Sequence, residues 1–132
     1  MADIPAGFLD LLTEKKAFAN LATLQPDGSP QVTPVWFDYS GGIVRVNTAK
    51  GRVKARNLKQ GVKVALAIPD PDNAYRYMQI RGTVTKETPD PNNAHINSLA
   101  KKYLDKDVYP FHKEGDVRVT YEITPSAVQT MG

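Results

Sequence analysis

The segment PDGSP, residues 26–30, constrains the fold more than any other stretch of this chain. Asp27-Gly28 at its centre favours a tight hairpin turn, and an extended segment lies on each side of it, AFANLATLQ before and QVTPVWFDY after. The pattern therefore predicts two antiparallel strands. Turn-forming residues recur along the chain, which has ten prolines and nine glycines, so the sequence indicates a β-rich fold.

Four further segments are predicted as strands: residues 43–48, 62–68, 75–87 and 116–124. In the second of them Val62, Val64, Leu66 and Ile68 alternate with period two, as in a half-buried strand. In the third, Tyr75, Tyr77, Gln79 and Arg81 share one face, and Arg76, Met78, Ile80 and Val84 share the other. Residues 69–74, PDPDNA, are predicted to form a loop because of their Pro and Asp content.

Three helices are predicted, over residues 4–16, within the basic segment 47–59, and over 90–106. In the last one Asp90 is expected to cap the helix and Pro91 to occupy its first turn. No repeat, linker or low-complexity tract interrupts the sequence. It therefore predicts one domain, residues 1–132, that is mainly β with peripheral helices: a small antiparallel barrel of about six strands.

The composition excludes several functional classes. Hydrophobic residues make up 41% of the chain and charged residues 23%, which is ordinary for a soluble globular protein. No apolar run approaches the ~20 residues of a membrane span, and the absence of cysteine favours a cytoplasmic location. The net charge of +3 is too small for a protein that binds duplex DNA, and aromatic residues do not interleave with the basic ones as in single-strand binders.

Groups for side-chain catalysis are scarce. The two histidines, His95 on the polar edge of a predicted helix and His112 in a loop, are interpreted as structural or solvated. No carboxylate or second histidine stands at metal-ligand spacing, and no nucleophile elbow or glycine-rich phosphate loop occurs. An enzyme of this composition takes its reactive group from a cofactor.

The segment NTAKGRVKARNLK, residues 47–59, contains five of the chain's seventeen Lys and Arg residues. Backbone N–H groups at a helix start, with Gly51 easing the turn, attract anions, so the segment is a candidate phosphate site. A solvated basic helix face is the alternative. Trp36 and Tyr39 are likewise either core aromatics or an apolar wall for a flat ring, and Tyr75, Tyr77 and Gln79 allow the same two interpretations.

Several motifs taken in order resemble a known family. They are LATL, DGSP, PVWF, a strand ending in NT, G-R-x-K-x-R-N-L, an apolar strand and YRYMQIRGTVT, spread over residues 8–124. This set resembles the pyridoxamine 5′-phosphate oxidase-like flavin and deazaflavin oxidoreductases, which adopt the FMN-binding split β-barrel. Within that superfamily the pattern is most similar to the small class B enzymes that use coenzyme F420.

The resemblance implies roles for individual residues. Arg52 and Lys54 match phosphate-contacting positions, with Thr48 at the end of the preceding strand, and Val53 replaces an arginine of the FMN oxidases. Gln31, Thr33, Pro34 and Val35 match the strand that runs along the deazaflavin ring. The complete implied cofactor set is Gln31, Thr33, Pro34, Val35, Trp36, Asn47, Thr48, Lys50, Gly51, Arg52, Val53, Lys54, Asn57, Tyr75, Tyr77 and Gln79.

The resemblance also implies an activity and an assembly. Reduced F420 would give a hydride to an electron-poor small molecule of enone, quinone or tetrapyrrole type, without a catalytic side chain. Two cofactor sites would lie at a homodimer interface, within reach of Tyr75, Tyr77 and Gln79 of the other subunit, and Lys50, Arg56 and Lys59 would face the anionic F420 tail. The alternatives are an FMN-binding oxidase or reductase of the same fold and a non-catalytic carrier of F420 or a tetrapyrrole.

Overall fold

One curled antiparallel sheet forms the body of the protein. The computed structural model describes residues 2–51 and 53–132, without the side chains of Val53 and Lys54. The split-barrel prediction is confirmed, and the described residues form seven strands instead of about six: β1 Ala19–Leu24, β2 Pro30–Val35, β3 Phe37–Ser40, β4 Ile43–Ala49, β5 Lys63–Asp70, β6 Asn73–Pro89 and β7 Arg118–Met131. The strands follow the order β2-β1-β5-β6-β7-β4-β3 across the sheet.

The prediction of one continuous strand over residues 31–39 is wrong. β2 pairs with β1 through the predicted Asp27-Gly28 hairpin, and the register runs from Ala19 opposite Val35 to Leu24 opposite Pro30. β3 pairs instead with β4, at the other edge of the sheet. The chain therefore crosses from one sheet edge to the other at Trp36, which brings the two edges together there.

The predicted loop over residues 69–74 is mostly strand. β5 ends at Asp70 and β6 begins at Asn73, so the turn is short. The buried Asp70 carboxylate accepts hydrogen bonds from Lys15, from the Asp72 N–H and from Arg76. These bonds hold the pKa of Asp70 well below its usual range. Arg76 also binds Asp10, so the cluster fastens the N-terminal segment to this turn.

The last strand is longer than the predicted segment 116–124. β7 follows β6 from the Pro89–Val119 pair to the Tyr77–Met131 pair, with a register shift after Arg81. The shift accommodates Pro125, because a proline is tolerated where the hydrogen-bond ladder is interrupted. Gly82 is required at this point, since a Cβ atom there would lie 2.5 Å from the Thr124 carbonyl oxygen.

The helices are shorter than predicted. A 3-10 turn, Ala6–Phe8, and a helix α1, Asp10–Thr13, replace the helix predicted over 4–16; α2 spans Val53–Asn57, and α3 spans Ala94–Leu104. Pro91 therefore lies outside the first turn of α3. Asp90 is not the N-cap residue of α3, which is Asn93, but its carboxylate does accept the N–H groups of His95 and Ile96, each at 3.1 Å. None of the described helices is long and apolar enough to cross a membrane.

The hydrophobic core occupies the inside of the curled sheet. The predicted alternation is confirmed in β5, where Val64, Leu66 and Ile68 are buried, and in β6, where Met78 and Ile80 are buried. A second, smaller cluster lies outside the sheet beneath α3, formed by Ile96, Leu99 and Tyr103 with Trp36 and Tyr109.

Candidate functional site

Eleven of the sixteen predicted cofactor residues fall into three groups, and the other five, residues 50–54, belong to the basic segment. The first, called the α2 group, consists of Gln31, Thr33, Thr48 and Asn57, on strands β2 and β4 and on α2. The second consists of Pro34, Val35, Trp36 and Asn47, which line a cavity beside α3. The third consists of Tyr75, Tyr77 and Gln79 on β6.

A short polar chain connects members of the α2 group. The buried Asn57 amide donates a hydrogen bond to Thr23 Oγ1 at 3.2 Å and one to Gln25 Oε1 at 3.4 Å. Thr23 in turn donates to Gln31 Oε1 at 3.4 Å. Gln31 and Asn57 are therefore joined through Thr23. Sequence analysis missed Thr23, because its inward position on β1 shows only in the burial alternation of that strand.

Two buried hydroxyls of the α2 group have no hydrogen-bond partner within residues 2–51 and 53–132: those of Thr33 and Thr48. Thr48 is only 1% exposed. A buried hydroxyl without a partner costs about 1–3 kcal/mol, and a ligand oxygen or N–H group would remove that cost. These two unpaired hydroxyls thus fit a cofactor that is rich in oxygen atoms and ring N–H groups. Both belong to residues that the resemblance implies as cofactor contacts.

The basic segment is partly described. Gly51 has φ +92°, in the left-handed region that favours glycine, so it makes the turn from β4 into α2. α2 contains only five residues, so its dipole is weak and anion affinity must come mainly from side chains. Lys50, which precedes α2, and Arg56, within it, are exposed. Arg52 lies outside the described residues, as do the side chains of Val53 and Lys54, and their phosphate contacts stay predictions.

The second group lines a cavity of about 160 Å³, here called the α3 pocket. Pro34, Val35, Trp36 and Asn47 form part of its wall. α3, the loop after it, Phe18 before β1 and Arg118 at the start of β7 form the rest. Trp36 stacks on Tyr103 with ring centroids 5.2 Å apart and an interplanar angle of 5°. This contact explains the break in the strand, because it turns the Trp36 ring out of the sheet and against α3.

Asn47 is the centre of a buried polar network beneath the pocket. Arg118 Nε donates to Asn47 Oδ1 at 2.9 Å, which identifies that atom as the acceptor, because a guanidinium group only donates. Asn47 Nδ2 therefore donates to Asp90 Oδ2 and to His95 Nδ1, each at 3.1 Å. It follows that His95 Nδ1 accepts and that His95 Nε2 carries the proton it shares with Asp38 Oδ2 at 3.1 Å.

The predicted position of His95 on the polar edge of α3 is wrong. Its side chain is buried against β3, β4 and β7, where Asp38, Asn47 and Thr120 surround it. Burial of Asp38 acts to raise its pKa, but hydrogen bonds from His95 and Arg45 outweigh that effect, so the pKa of Asp38 lies below its usual value. His112 is exposed in the loop after α3, as predicted.

The third group lies apart from the other two within one chain. β6 is separated from β2 by β5 and β1 in the sheet, and Tyr75 at its start is 81% exposed. Tyr77 and Gln79 are partly exposed on the outer face of the strand. Their prediction as cofactor-binding residues thus depends on a second subunit, and it stays a prediction.

A curled antiparallel sheet whose edge strands β2 and β3 come together at Trp36, with α2 packed against β1 and β4, defines the chain as a split β-barrel protein. Residues 8–132 match the model of the pyridoxamine 5′-phosphate oxidase family. The chain belongs to that family.

Solved structures give the same fold. An F420 reductase is 36% identical, with a TM-score of 0.85, and the match covers 96% of this chain and 98% of that one. A conserved hypothetical protein from Mycobacterium tuberculosis is 21% identical, with a TM-score of 0.73 and coverage of 99% and 86%. An FAD-binding protein from Mesorhizobium loti is 19% identical, with a TM-score of 0.67 and coverage of 96% and 94%.

Proposed function

We propose that this protein is an F420H2-dependent reductase that transfers a hydride to an electron-poor small molecule. The observation that carries the proposal is the pair of orphan hydroxyls, Thr33 and Thr48, at two positions predicted to contact the cofactor. The 36% identity to an F420 reductase supports F420 over FMN. So does Val53, which stands where FMN oxidases of the family carry an arginine.

In this reaction the protein binds the cofactor and the acceptor, orients them towards each other, and excludes water from the site. When bound, the reduced deazaflavin supplies the hydride, so the chain needs no nucleophile of its own. Thr33 on β2 and Thr48 on β4 would each pair with an oxygen or N–H group of the cofactor and so orient it. Lys50, Arg52 and Lys54 would neutralise its phosphodiester. Arg56 and Lys59 lie farther along the segment, where exposed charges contribute little each.

The proposal includes a homodimer with two cofactor sites. Tyr77 and Gln79 lie on the outer face of β6, which two strands separate from β2, so they do not face Gln31 and Thr33 of their own chain. In a symmetric dimer the same residues approach the α2 group of the other subunit. Each site is then complete only when two chains associate.

Parallel titrations of the apo protein with F420 and with FMN test the cofactor assignment. We expect quenching of the deazaflavin fluorescence to saturate at micromolar F420, and FMN to bind at least about 10-fold more weakly, a difference of about 1.4 kcal/mol. FMN binding without measurable F420 binding would contradict the proposal. If F420 binds tightly but its reduced form transfers no hydride to any of a panel of enones and quinones, the protein is a carrier.

A further inference from the structure

We propose that Thr23 is a positioning residue of the cofactor site: its hydroxyl holds the Gln31 side-chain amide so that the NH2 group of Gln31 faces a hydrogen-bond acceptor on the cofactor. This role rests on the proposed reductase function and adds to it a residue outside the predicted cofactor set. The register of the strands, the burial of Thr23 and the direction of its hydrogen bonds each support it.

Thr23 and Gln31 stand opposite each other on paired strands. The register of β1 and β2 places Gln31 against Thr23 and, two residues further along β2, Thr33 against Leu21 of the core. Alternate residues of a strand share a face, so all four side chains lie on the inner side of the sheet. Directly opposite side chains have Cβ atoms about 5 Å apart, which is close enough for a hydrogen bond between Thr23 and Gln31.

The hydrogen bonds of the Thr23 hydroxyl give it a direction. Thr23 is only 2% exposed. Its Oγ1 accepts a hydrogen bond from Asn57 Nδ2 at 3.2 Å and donates one to Gln31 Oε1 at 3.4 Å. A threonine hydroxyl has a single proton to donate. Because Asn57 supplies the proton of the first bond, the proton of Thr23 is left for Gln31.

The same bonds determine which end of Gln31 a ligand meets. A side-chain amide has an acceptor oxygen and a nitrogen with two N–H donors. Since Gln31 Oε1 is turned towards Thr23, Gln31 Nε2 is directed away from it. An NH2 group in that position recognises an acceptor, such as a carbonyl oxygen or an unprotonated ring nitrogen of the cofactor.

Gln31 also lies beside a hydroxyl that indicates a ligand independently. Thr33 follows it by two residues on the same face of β2, a distance of about 7 Å along the strand. Its buried hydroxyl has no hydrogen-bond partner among the residues that the structure describes. A ring system that pairs with Thr33 is therefore within reach of the Gln31 amide.

Asn57 connects this arrangement to the basic segment. It is the last residue of α2 and is 8% exposed. Besides Thr23 it donates to Gln25 Oε1 at 3.4 Å, so the end of α2 is fastened to the end of β1. Thr23 thus links the helix of the predicted phosphate site to the strand of the predicted ring site.

An amide that is held in place before binding increases affinity. A glutamine side chain that a ligand immobilises loses rotational freedom, and a bond that already fixes it reduces this loss. Immobilising one such side chain changes the affinity by about 2- to 12-fold. This is the factor by which loss of the Thr23 hydroxyl should weaken F420 binding.

A double-mutant cycle, measured by quenching of the deazaflavin fluorescence, tests the role. We expect Thr23→Val to weaken F420 binding about 2- to 12-fold, and Gln31→Met, which removes the amide at nearly the same length, to weaken it at least as much. The double variant should bind no more weakly than Gln31→Met, because Thr23 acts through Gln31. The same loss from Thr23→Val in both backgrounds, or no loss from it in the wild type, overturns the proposal.

Two further variants separate the hydroxyl from general effects on the sheet. Thr23→Ser keeps the hydroxyl and should bind F420 within about 2-fold of the wild type, half of the smallest loss counting as rescue. Thr85→Val is the matched control, since it removes an exposed hydroxyl that bonds to Thr124 between β6 and β7. It should leave F420 affinity unchanged. A Thr85→Val variant that loses as much affinity as Thr23→Val contradicts a specific role of Thr23.

An NMR measurement keeps the proposal testable if Thr23→Val does not fold. In the 15N-labelled wild type, the side-chain NH2 signal of Gln31 is identified by its absence from Gln31→Met. It should move downfield and saturate as F420 is added, because its N–H enters a new hydrogen bond. An unchanged signal at saturating F420 overturns the proposal.

The wild type separates this role from the reductase proposal. If it does not bind F420, the reductase proposal fails and the role of Thr23 fails with it. If it binds F420 while the Gln31 signal stays unchanged, only the role of Thr23 is overturned.

Discussion

Thr48 and Thr23 are both buried threonines, but their hydroxyls differ in hydrogen bonding. The Thr23 hydroxyl bonds to Gln31 and Asn57, whereas the Thr48 hydroxyl has no partner in the described part of the chain. The first arrangement stabilises the apo protein. The second leaves a hydroxyl for which a bound ligand would supply the missing partner.

We expect Thr48→Val to leave the stability of the apo protein unchanged or to raise it by up to about 1 kcal/mol, because an unpaired hydroxyl is replaced by a methyl of similar size. F420 affinity should fall about 2- to 12-fold, the worth of one hydrogen bond. Urea denaturation and deazaflavin fluorescence measure the two effects. Thr23→Val is the matched control and should lose about 1–2 kcal/mol of stability. If Thr48→Val loses as much and binds F420 normally, Thr48 belongs to the core and not to the site.

The free energy of unfolding depends on pH through the Asp38 carboxylate, which accepts hydrogen bonds from His95 and Arg45. Because its pKa is lowered in the folded state, its contribution is present above the unfolded pKa of about 4 and is lost as the pH falls below that value. Asp38→Asn should therefore destabilise the protein at pH 7 by about 1–2 kcal/mol, a figure reduced by the partial exposure of Arg45.

The difference between wild type and Asp38→Asn should shrink as the pH falls from 5 to 3, as measured by urea denaturation across that range. Asp3→Asn, at an exposed position, serves as the control and should show no such difference. A destabilisation that is the same at every pH would mean that packing, and not the charge of Asp38, is responsible.

Sequence reasoning was most successful for residues whose role depends on their neighbours along the chain. Asp90 was predicted to cap α3, and its carboxylate does accept N–H groups at the helix start, although Asn93 and not Asp90 occupies the N-cap position. The burial of His95 was not predicted, because its partners Asp38, Asn47 and Thr120 come from three other segments. A helical pattern places His95 on an edge of α3 but does not show which sheet surface covers that edge.

At the scale of elements, Tyr103 of α3 fastens the crossover between β2 and β3. Its buried hydroxyl donates to the Ala17 carbonyl at 2.6 Å and accepts the Phe37 N–H at 3.2 Å. These backbone groups lie next to the β1 start and the break at Trp36. One side chain thus provides hydrogen bonds where the strand ladder is interrupted.

Tyr103→Phe should keep the stacking on Trp36 and lose both hydrogen bonds. We expect a loss of about 1–3 kcal/mol in the free energy of unfolding, because two buried backbone groups are left unpaired. Tyr75→Phe, at a residue that is 81% exposed, should be neutral in the same urea titration. A neutral Tyr103→Phe variant would show that the crossover is held by ring packing alone.

Most strands were predictable because their alternation is local, as in β5 and in β1. The crossover was not, since the segment QVTPVWFDY has no turn residue at Trp36 and reads as one strand. What divides it is the contact with Tyr103, 67 positions later in the chain. The extension of β7 past Pro125 has a similar cause, because Gly82 on the opposite strand creates the shift that accommodates the proline.

At the scale of the whole molecule, one face of the sheet has features that favour packing against a second subunit. A row of paired residues crosses five strands on the outer side of the barrel and consists mostly of small or apolar side chains: Val32, Ala22, Ala65, Arg81 and Ala127. An open groove of about 480 Å³ lies along the same strands. Small side chains on a sheet face permit close approach of a second subunit, and Tyr77 and Gln79 flank this row on β6.

We expect the protein to be a dimer by light scattering at micromolar concentration, and Ala65→Arg to make it monomeric, because a long charged side chain then occupies the centre of the row. F420 affinity should fall at least about 10-fold in the same variant, since each site loses the residues that the other subunit contributes. Ser40→Glu, an exposed change on β3 at the far edge of the sheet, is the control and should alter neither property. A wild-type monomer with full F420 affinity would show that one chain forms a complete site. The third group, Tyr75, Tyr77 and Gln79, would then have no part in cofactor binding.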